Sequence, residues 1–328
     1  MGKLFNIQNI QQQDLRFKLQ ITTTTTNQSI TIPHLNGYVY NYVVDYGDNT
    51  GHKFVTTYND TDCTHIYAVA GTYNIIISGA CETFYVANAG TLRTTIRKVL
   101  NWGNTGLKVV NFNGCSNLNE IADGSEGLSK VLNFNSSFSN CTSLVSIPSK
   151  LFRFSLLLGA SAFYRTFSNC TSLTTIPADL FKYNTAVSSS GFRETFSNCT
   201  SLESIPANLF RYNTAVSTQG FYQTFYGCSS LTTIPAGLFS GNTLVSTYGF
   251  YGTFFNCTLL TSIPADLFKY NTAVSSSGFY GTFSNCIFIK SIPAGLFSGN
   301  TNVSDNGFNK TFSNCTSLTT IPTDLFRY

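Results

Sequence analysis

Residues 170–181 read CTSLTTIPADLF, and the same twelve-position pattern returns six more times at a constant step of 29 residues. The other copies are CTSLVSIPSKLF (141–152), CTSLESIPANLF (199–210), CSSLTTIPAGLF (228–239), CTLLTSIPADLF (257–268), CIFIKSIPAGLF (286–297) and CTSLTTIPTDLF (315–326). No insertion interrupts the spacing, and a degenerate opening repeat, GCSNLNEI around Cys115, stands 26 residues before Cys141. Self-similarity at such a period marks units that cannot bury their apolar side chains alone and must stack to do so. Within a unit, Leu173 and Ile176 bracket a short segment expected to form a parallel strand. Pro177 is expected to end it, because proline has no N–H for a central ladder. The following Ala-Asp-Leu-Phe suits one helical or 3-10 turn with Leu180 and Phe181 inward, and Gly191, Phe192 and Phe196 mark the return to the next Cys.

The cysteines follow the same step: Cys141, Cys170, Cys199, Cys228, Cys257, Cys286 and Cys315. One Cys per unit reads as a buried structural ladder rather than a pairing framework. Stacked positions ~4.8 Å apart would permit a disulfide by backbone distance alone. The side chains would all point the same way into the core, so free thiols are expected. No CxxC pair or neighbouring His offers a metal site, and no cofactor is expected. Cys63 and Cys81 stand apart from the ladder, and their pairing is left open.

The core FSNCTSLESIP, residues 196–206, resembles the BspA-like, bacterial-surface type of leucine-rich repeat. NTLVSTYGFYGTFFNCTLL upstream is similar to related repeats of bacterial and prophage surface proteins. The resemblance implies a leucine-rich-repeat solenoid of short parallel strands and short helical or 3-10 turns over residues 134–328, and a binding role without a named ligand. The 29-residue period is longer than the common one, with the added residues around KYNTAVSSS.

Earlier in the chain the texture changes to alternating stretches such as FKLQITTTTT, YVYNYVVDYGD and TYNIIISGA between Gly and Asn turns. VDYGDNTG followed by THIYAVAGTYNIIISG resembles a PKD-type (polycystic kidney disease) immunoglobulin-like β-sandwich. Asp45, Gly47, Asp48, His65, Tyr67, Gly71 and Tyr73 fit that family's pattern, while Tyr46 stands where Trp is usual and Asn49 where the second Gly is usual. The resemblance implies an extracellular spacer module over residues 17–95. Residues 1–16 then form an N-terminal arm that would contact other virion or surface proteins. Residues 96–133 form a linker and the degenerate opening repeat, with LRTTIRKVLNW (92–102) capping the first face of the stack. The expected fold class is therefore mainly β.

Composition narrows function. Charged residues are only 10% of the chain and the net charge is +4, with no basic run, so nucleic acid is not an expected partner. No apolar stretch is long enough to insert in a membrane. MGKLFNIQNIQQQDLRF has no apolar h-region, and Asn6 breaks a myristoylation motif. That absence points to a protein reaching the virion or cell exterior by assembly and lysis. None of the three histidines lies after residue 65, and no nucleophile-elbow, HExxH or phosphate-loop motif appears, so no enzyme is expected. Asp45 and Asp48 read as caps of backbone donors in a turn, and His65 as a packing residue.

One position per unit reads Tyr164, Arg193, Tyr222, Tyr251, Tyr280 and Asn309; a second reads Tyr183, Tyr212, Tyr270 and Tyr328 with Gly241 and Gly299 between. Aromatic columns with amides and hydroxyls beside them suit a glycan or protein ligand, and near-identical units favour a repetitive one. Packing along the flank is the competing reading. Asp179, Asp266 and Asp324 are followed at i+3 by Lys182, Lys269 and Arg327, as partners on one turn would be. The last unit has no polar cap, so self-association through that edge is expected. The sequence reading is thus a surface recognition protein, as a phage tail or fibre component, a cellular adhesin, or a structural decoration protein.

Overall fold

The computed structural model describes residues 14–88 and 90–325. Regular structure is mainly β with little helix, and every strand lies before residue 122. The strands are β1 (Phe17–Thr22), β2 (Gln28–Thr31), β3 (Tyr40–Asp45), β4 (His52–Val55), β5 (Thr64–Tyr67) and β6 (Thr72–Cys81). They are followed by β7 (Thr83–Tyr85), a four-residue helix α1 (Leu92–Thr95), β8 (Ile96–Asn101), β9 (Val109–Asn111) and β10 (Glu120–Ile121).

One six-stranded sheet runs β10-β8-β1-β6-β3-β4, and two-stranded sheets pair β2 with β5 and β7 with β9. β1 lies antiparallel to β6 from Phe17↔Ile77 to Thr22↔Thr72. The strict alternation of β1 puts Phe17, Leu19 and Ile21 into the core, where Ile75 and Ile77 meet them. Most of the N-terminal arm lies outside the described residues; Asp14 pairs with Arg16 and Lys18 at the start of β1.

The segment read as a linker is structured. β8 pairs antiparallel with β1, β10 runs parallel to β8, and β9 runs parallel to β7, so the sheet continues past residue 95. Trp102 and Phe84, which meets Phe17 at 5.1 Å and Phe112 at 5.2 Å, carry one core across the two parts. The Trp102 ring stacks on Phe17 at 6.0 Å and meets Phe112 and Phe138 edge-on at 6.0 and 6.4 Å, while its indole N–H donates to the Ala122 carbonyl at 3.0 Å.

From residue 129 to 325 the backbone forms neither strands nor helices. The short strand expected between Leu173 and Ile176 is not formed. The turn closing at Leu173 and the missing donor of Pro177 leave room for one inter-unit bond there, Thr174 N–H to the Val145 carbonyl at 3.2 Å. The expected helical turn after Pro177 is present as separate i→i−3 bonds, Leu180 to Pro177, Lys182 to Asp179 and Asn184 to Phe181.

The dense inter-unit ladder lies in the return segment. The N–H groups of Ser161, Phe163, Arg165, Phe167 and Asn169 donate to the carbonyls of Ser189, Gly191, Arg193, Thr195 and Ser197, at 2.7–3.0 Å. The alternate N–H groups of Tyr164, Thr166, Ser168 and Cys170 bond back three residues within their own unit. Ser161, Arg165 and Asn169 adopt φ of 54°, 54° and 59°. A left-handed residue at every fourth position turns the chain so that two side chains point in and the next two out. Ala162, Phe163, Thr166 and Phe167 are buried while Tyr164 and Arg165 are not.

Inside, aromatic columns run along the stack. Phe163, Phe192, Phe221, Phe250, Phe279 and Phe308 lie face to face at 5.5–5.7 Å, with Phe181, Phe210, Phe239 and Phe268 tilted between them. Burying each Phe contributes about 1.5–3 kcal/mol, and each well-placed ring pair about 0.5–1.5 more. Buried polar side chains tie the units together at carbonyls. Thr195 donates to Phe163 O at 2.8 Å, and Asn213 Nδ2 to Phe181 O and Asn184 O at 3.0 and 2.9 Å. The Cys199 thiol donates to Phe167 O at 3.2 Å.

Candidate functional site

Burial sets the chemistry of the cysteine ladder. All ten cysteines are free and buried. From Cys141 to Cys315 each thiol donates to the carbonyl of a Phe in the preceding unit at 3.1–3.3 Å. Burial pushes the Cys199 thiol up to about 12, so it is a neutral donor and no nucleophile. Cys63 and Cys81 do not pair. His34 reaches both, Nδ1 at 3.3 Å from Cys63 Sγ and Nε2 at 4.0 Å from Cys81 Sγ, with Tyr42 Oη 3.0 Å from Nε2. Burial lowers His34 to about 4.

In the β3–β4 turn, Asp45 accepts the Gly47 N–H at 2.8 Å and Asp48 accepts the Thr50 N–H and hydroxyl. Asp48 also contacts His65 Nε2 at 2.7 Å, and His65 stacks on Tyr46 at 4.3 Å. Burial opposes ionisation of Asp48, but the bonds from Thr50 and His65 outweigh it and hold the carboxyl below its ordinary value. These groups shape a turn and a packed core. A cleft of about 560 Å³ nearby is lined by Ser29, Pro33, His34, Tyr58, Tyr85 and Thr91. Among the described residues, no three His, Cys, Asp or Glu side chains are placed to share a metal ion, and no helix is long and apolar enough to cross a membrane.

The column read from the sequence as a binding surface is brought together as one stack. Tyr222 lies on Tyr251 at 4.7 Å and 7°, and Tyr251 on Tyr280 at 4.6 Å and 2°. The Arg193 guanidinium fills the gap between Tyr164 and Tyr222, at 5.3 and 4.6 Å from their rings, and Lys310 lies 5.8 Å over Tyr280. Asn309 is exposed at the far end and its amide turns to Asn306. Glu194 holds both Arg165 and Arg193, at 2.5 and 3.2 Å. Neighbours cover the faces of these rings, so the column offers solvent its edges; the Tyr222, Tyr251 and Tyr280 hydroxyls bond to no described residue.

The second set does not stack in this way. Tyr183, Tyr212 and Tyr270 are exposed and flanked by cations instead, Lys182 lying 5.9 and 5.8 Å over Tyr183 and Tyr212 and Lys269 5.4 Å over Tyr270. Tyr328 and Arg327, the expected partner of Asp324, fall outside the described residues. Asp179 and Lys182 form the expected i,i+3 pair at 3.5 Å.

The sequence reading passed over a second outer aromatic pair, Tyr226 stacked on Phe255 at 4.9 Å and 6°. Its signal was a departure from the repeat: Ser-Asn-Cys becomes Tyr226-Gly227-Cys228 in one unit and Phe255-Asn256-Cys257 in the next. No protein-family model matches the chain, and no curated protein matches it.

Proposed function

We propose that this is a non-enzymatic surface recognition protein, a PKD-like β-sandwich followed by a BspA-like leucine-rich-repeat solenoid, displayed on a phage virion and engaging a host-surface glycan or protein. The observation that carries this reading is the continuous outer column from Tyr164 to Tyr280. The Tyr222, Tyr251 and Tyr280 hydroxyls repeat at the unit spacing and bond to no described residue, next to Gln223 and the Arg193–Glu194 pair. A row of equivalent groups at one spacing suits a ligand that is itself repetitive, and weak contacts then add by avidity. The virion setting is supported only by the likeness of the repeats to bacterial and prophage surface proteins.

A second reading, a decoration or spacer protein, is favoured by the same rings: each face is covered by a neighbour, as in flank packing. Changing Tyr222, Tyr251 and Tyr280 together to Ala separates the two. The recognition reading expects folding to survive and attachment to intact host cells to be lost. Undiminished attachment assigns the column to packing. Immunogold labelling of virions and cell envelopes tests the setting, with label on envelopes alone making the protein a cellular adhesin.

A further inference from the structure

Beside the tyrosine column the outer face holds a trough of about 320 Å³ along successive units, lined by side chains of which the recognition reading above uses only Glu194. Its bottom is Ser139, Ser168 and Ser197, one position in three consecutive units, only 5%, 5% and 6% exposed. One rim is Asn140, Asn169 and Asn198, and the other is Ser136, Arg165 and Glu194.

The asparagine rim is a ladder. Asn140 Nδ2 donates to Asn113 Oδ1 at 3.0 Å, Asn169 to Asn140 at 3.1 Å and Asn198 to Asn169 at 3.0 Å. Each ladder bond consumes one amide hydrogen; Asn140 gives its second to Ser139 Oγ at 3.2 Å, while Asn169 and Asn198 keep theirs available. The ladder stops at Asn198 because the next unit has Gly227 in its place, and Asn198 Oδ1 accepts from no described residue. A Cβ on Gly227 would lie 2.3 Å from that oxygen, so only glycine leaves the oxygen where it is. In the same unit the serine column gives way to Tyr226, followed by Phe255. Three polar units therefore run up to an aromatic side chain.

The chemistry narrows the ligand. Backbone N–H groups in this segment already bond to the next unit or three residues back, so the trough has no free strand edge for a peptide to extend. Its cation is not available to an anion, because Arg165 is bonded to Glu194, which also holds Arg193. What remains is a dense set of hydroxyls and amides that both donate and accept. This complements a chain of hydroxyls, with an aromatic ring at its end to meet an apolar sugar face.

We propose that the trough binds a neutral linear oligosaccharide lying along the stack, its terminal sugar against Tyr226. This deepens the recognition reading by naming a ligand class, but it rests on other side chains. The test is calorimetric titration of the full chain with cellotetraose, maltotetraose and chitotetraose, using three variants. Ser168→Tyr fills the trough with a side chain that the same column already accommodates at Tyr226, so the fold tolerates it. Asn169→Ala with Asn198→Ala removes the rim, and the triple Tyr222, Tyr251, Tyr280→Ala variant removes the column.

At least one probe is expected to bind the parent chain. Its affinity should fall about tenfold or more in the first two variants and hold in the third, even where cell attachment is lost. Silence with all three probes overturns the proposal. So does binding that survives Ser168→Tyr, or that only the tyrosine variant abolishes, which would return the ligand to the column. Binding confined to a sulfated chain such as heparin, indifferent to Ser168→Tyr, overturns it as well.

Discussion

The sheet region and the stacked units bury the same kinds of side chain by different backbone periods. In β1 the inward residues are Phe17, Leu19 and Ile21, one in two, and their partners on β6 lie far along the chain, Phe17 opposite Ile77. In a unit the inward residues come in pairs, Ala162 with Phe163 and Thr166 with Phe167, because a left-handed residue recurs every fourth position. There a ring meets the same position of the adjacent unit, as Phe163 meets Phe192, and also a second ring tilted against it, as Phe181 meets Phe192. A strand tolerates β-branched residues throughout and is bound by non-local pairing. The linked turns need residues that accept positive φ, which explains the Ser and Asn at 161, 169, 190 and 198. Arg165 and Glu194 hold that conformation as well, and they are an ion pair across two units.

Trp102 is where the two solutions meet, so its loss should have the largest effect. Trp102→Ala is expected to cost about 3–5 kcal/mol and to split one calorimetric transition into two, the sheet region and the stack melting apart. A single shifted transition would mean that the two regions are coupled elsewhere.

Within the stack, Asn213→Ala removes the donor to two buried carbonyls, Phe181 O and Asn184 O. A loss of roughly 1–3 kcal/mol is expected, with hydrogen exchange accelerated in the adjoining units and unchanged in β1 and β6. Uniform acceleration would contradict the local character of the stack.

The sheet region should carry an acid-side pH response through His34. His34 is lowered to about 4 by burial, against an ordinary 6.5, so between those values the unfolded chain binds the proton more readily. Stability from this group is complete above about pH 6.5 and falls as pH drops towards about 4. Melting temperatures of the parent should decline through that window more steeply than those of His34→Gln. Parallel curves would remove His34 from the account. The smallest effect is expected at the surface ladder, where Asn169→Ala should cost a few tenths to about 1 kcal/mol, read as a shift in denaturant midpoint.

Much of this comparison was legible beforehand. The 29-residue step put Cys170, Leu173, Phe181 and Phe196 in the core, where they are. The alternation of FKLQIT marked β1, and the column at Tyr222, Tyr251 and Tyr280 was legible because equivalent positions of stacked units must be neighbours. The parallel strand at Leu173–Ile176 was misplaced because apolar spacing reports which residues turn inward, not which backbone groups bond. Thr195 and Asn213 recur in every unit but the first, where Ser137 and Ser155 stand, yet their role depends on the Phe carbonyls placed opposite them. The trough was hidden because its rims come from residues 29 apart whose amides only meet once stacked.

The sequence by itself determined the period, the inward set and the mainly β character, because burial is an additive preference of side chains and repeats along the chain. Only the tertiary structure decided that the inter-unit ladder runs through the return segment and that Cys63 and Cys81 stay free, each in reach of His34. It also decided that tyrosine faces are covered while serines and asparagines line an open trough. Hydrogen bonds and ring contacts depend on angles and distances that exist only after one unit is laid on the next.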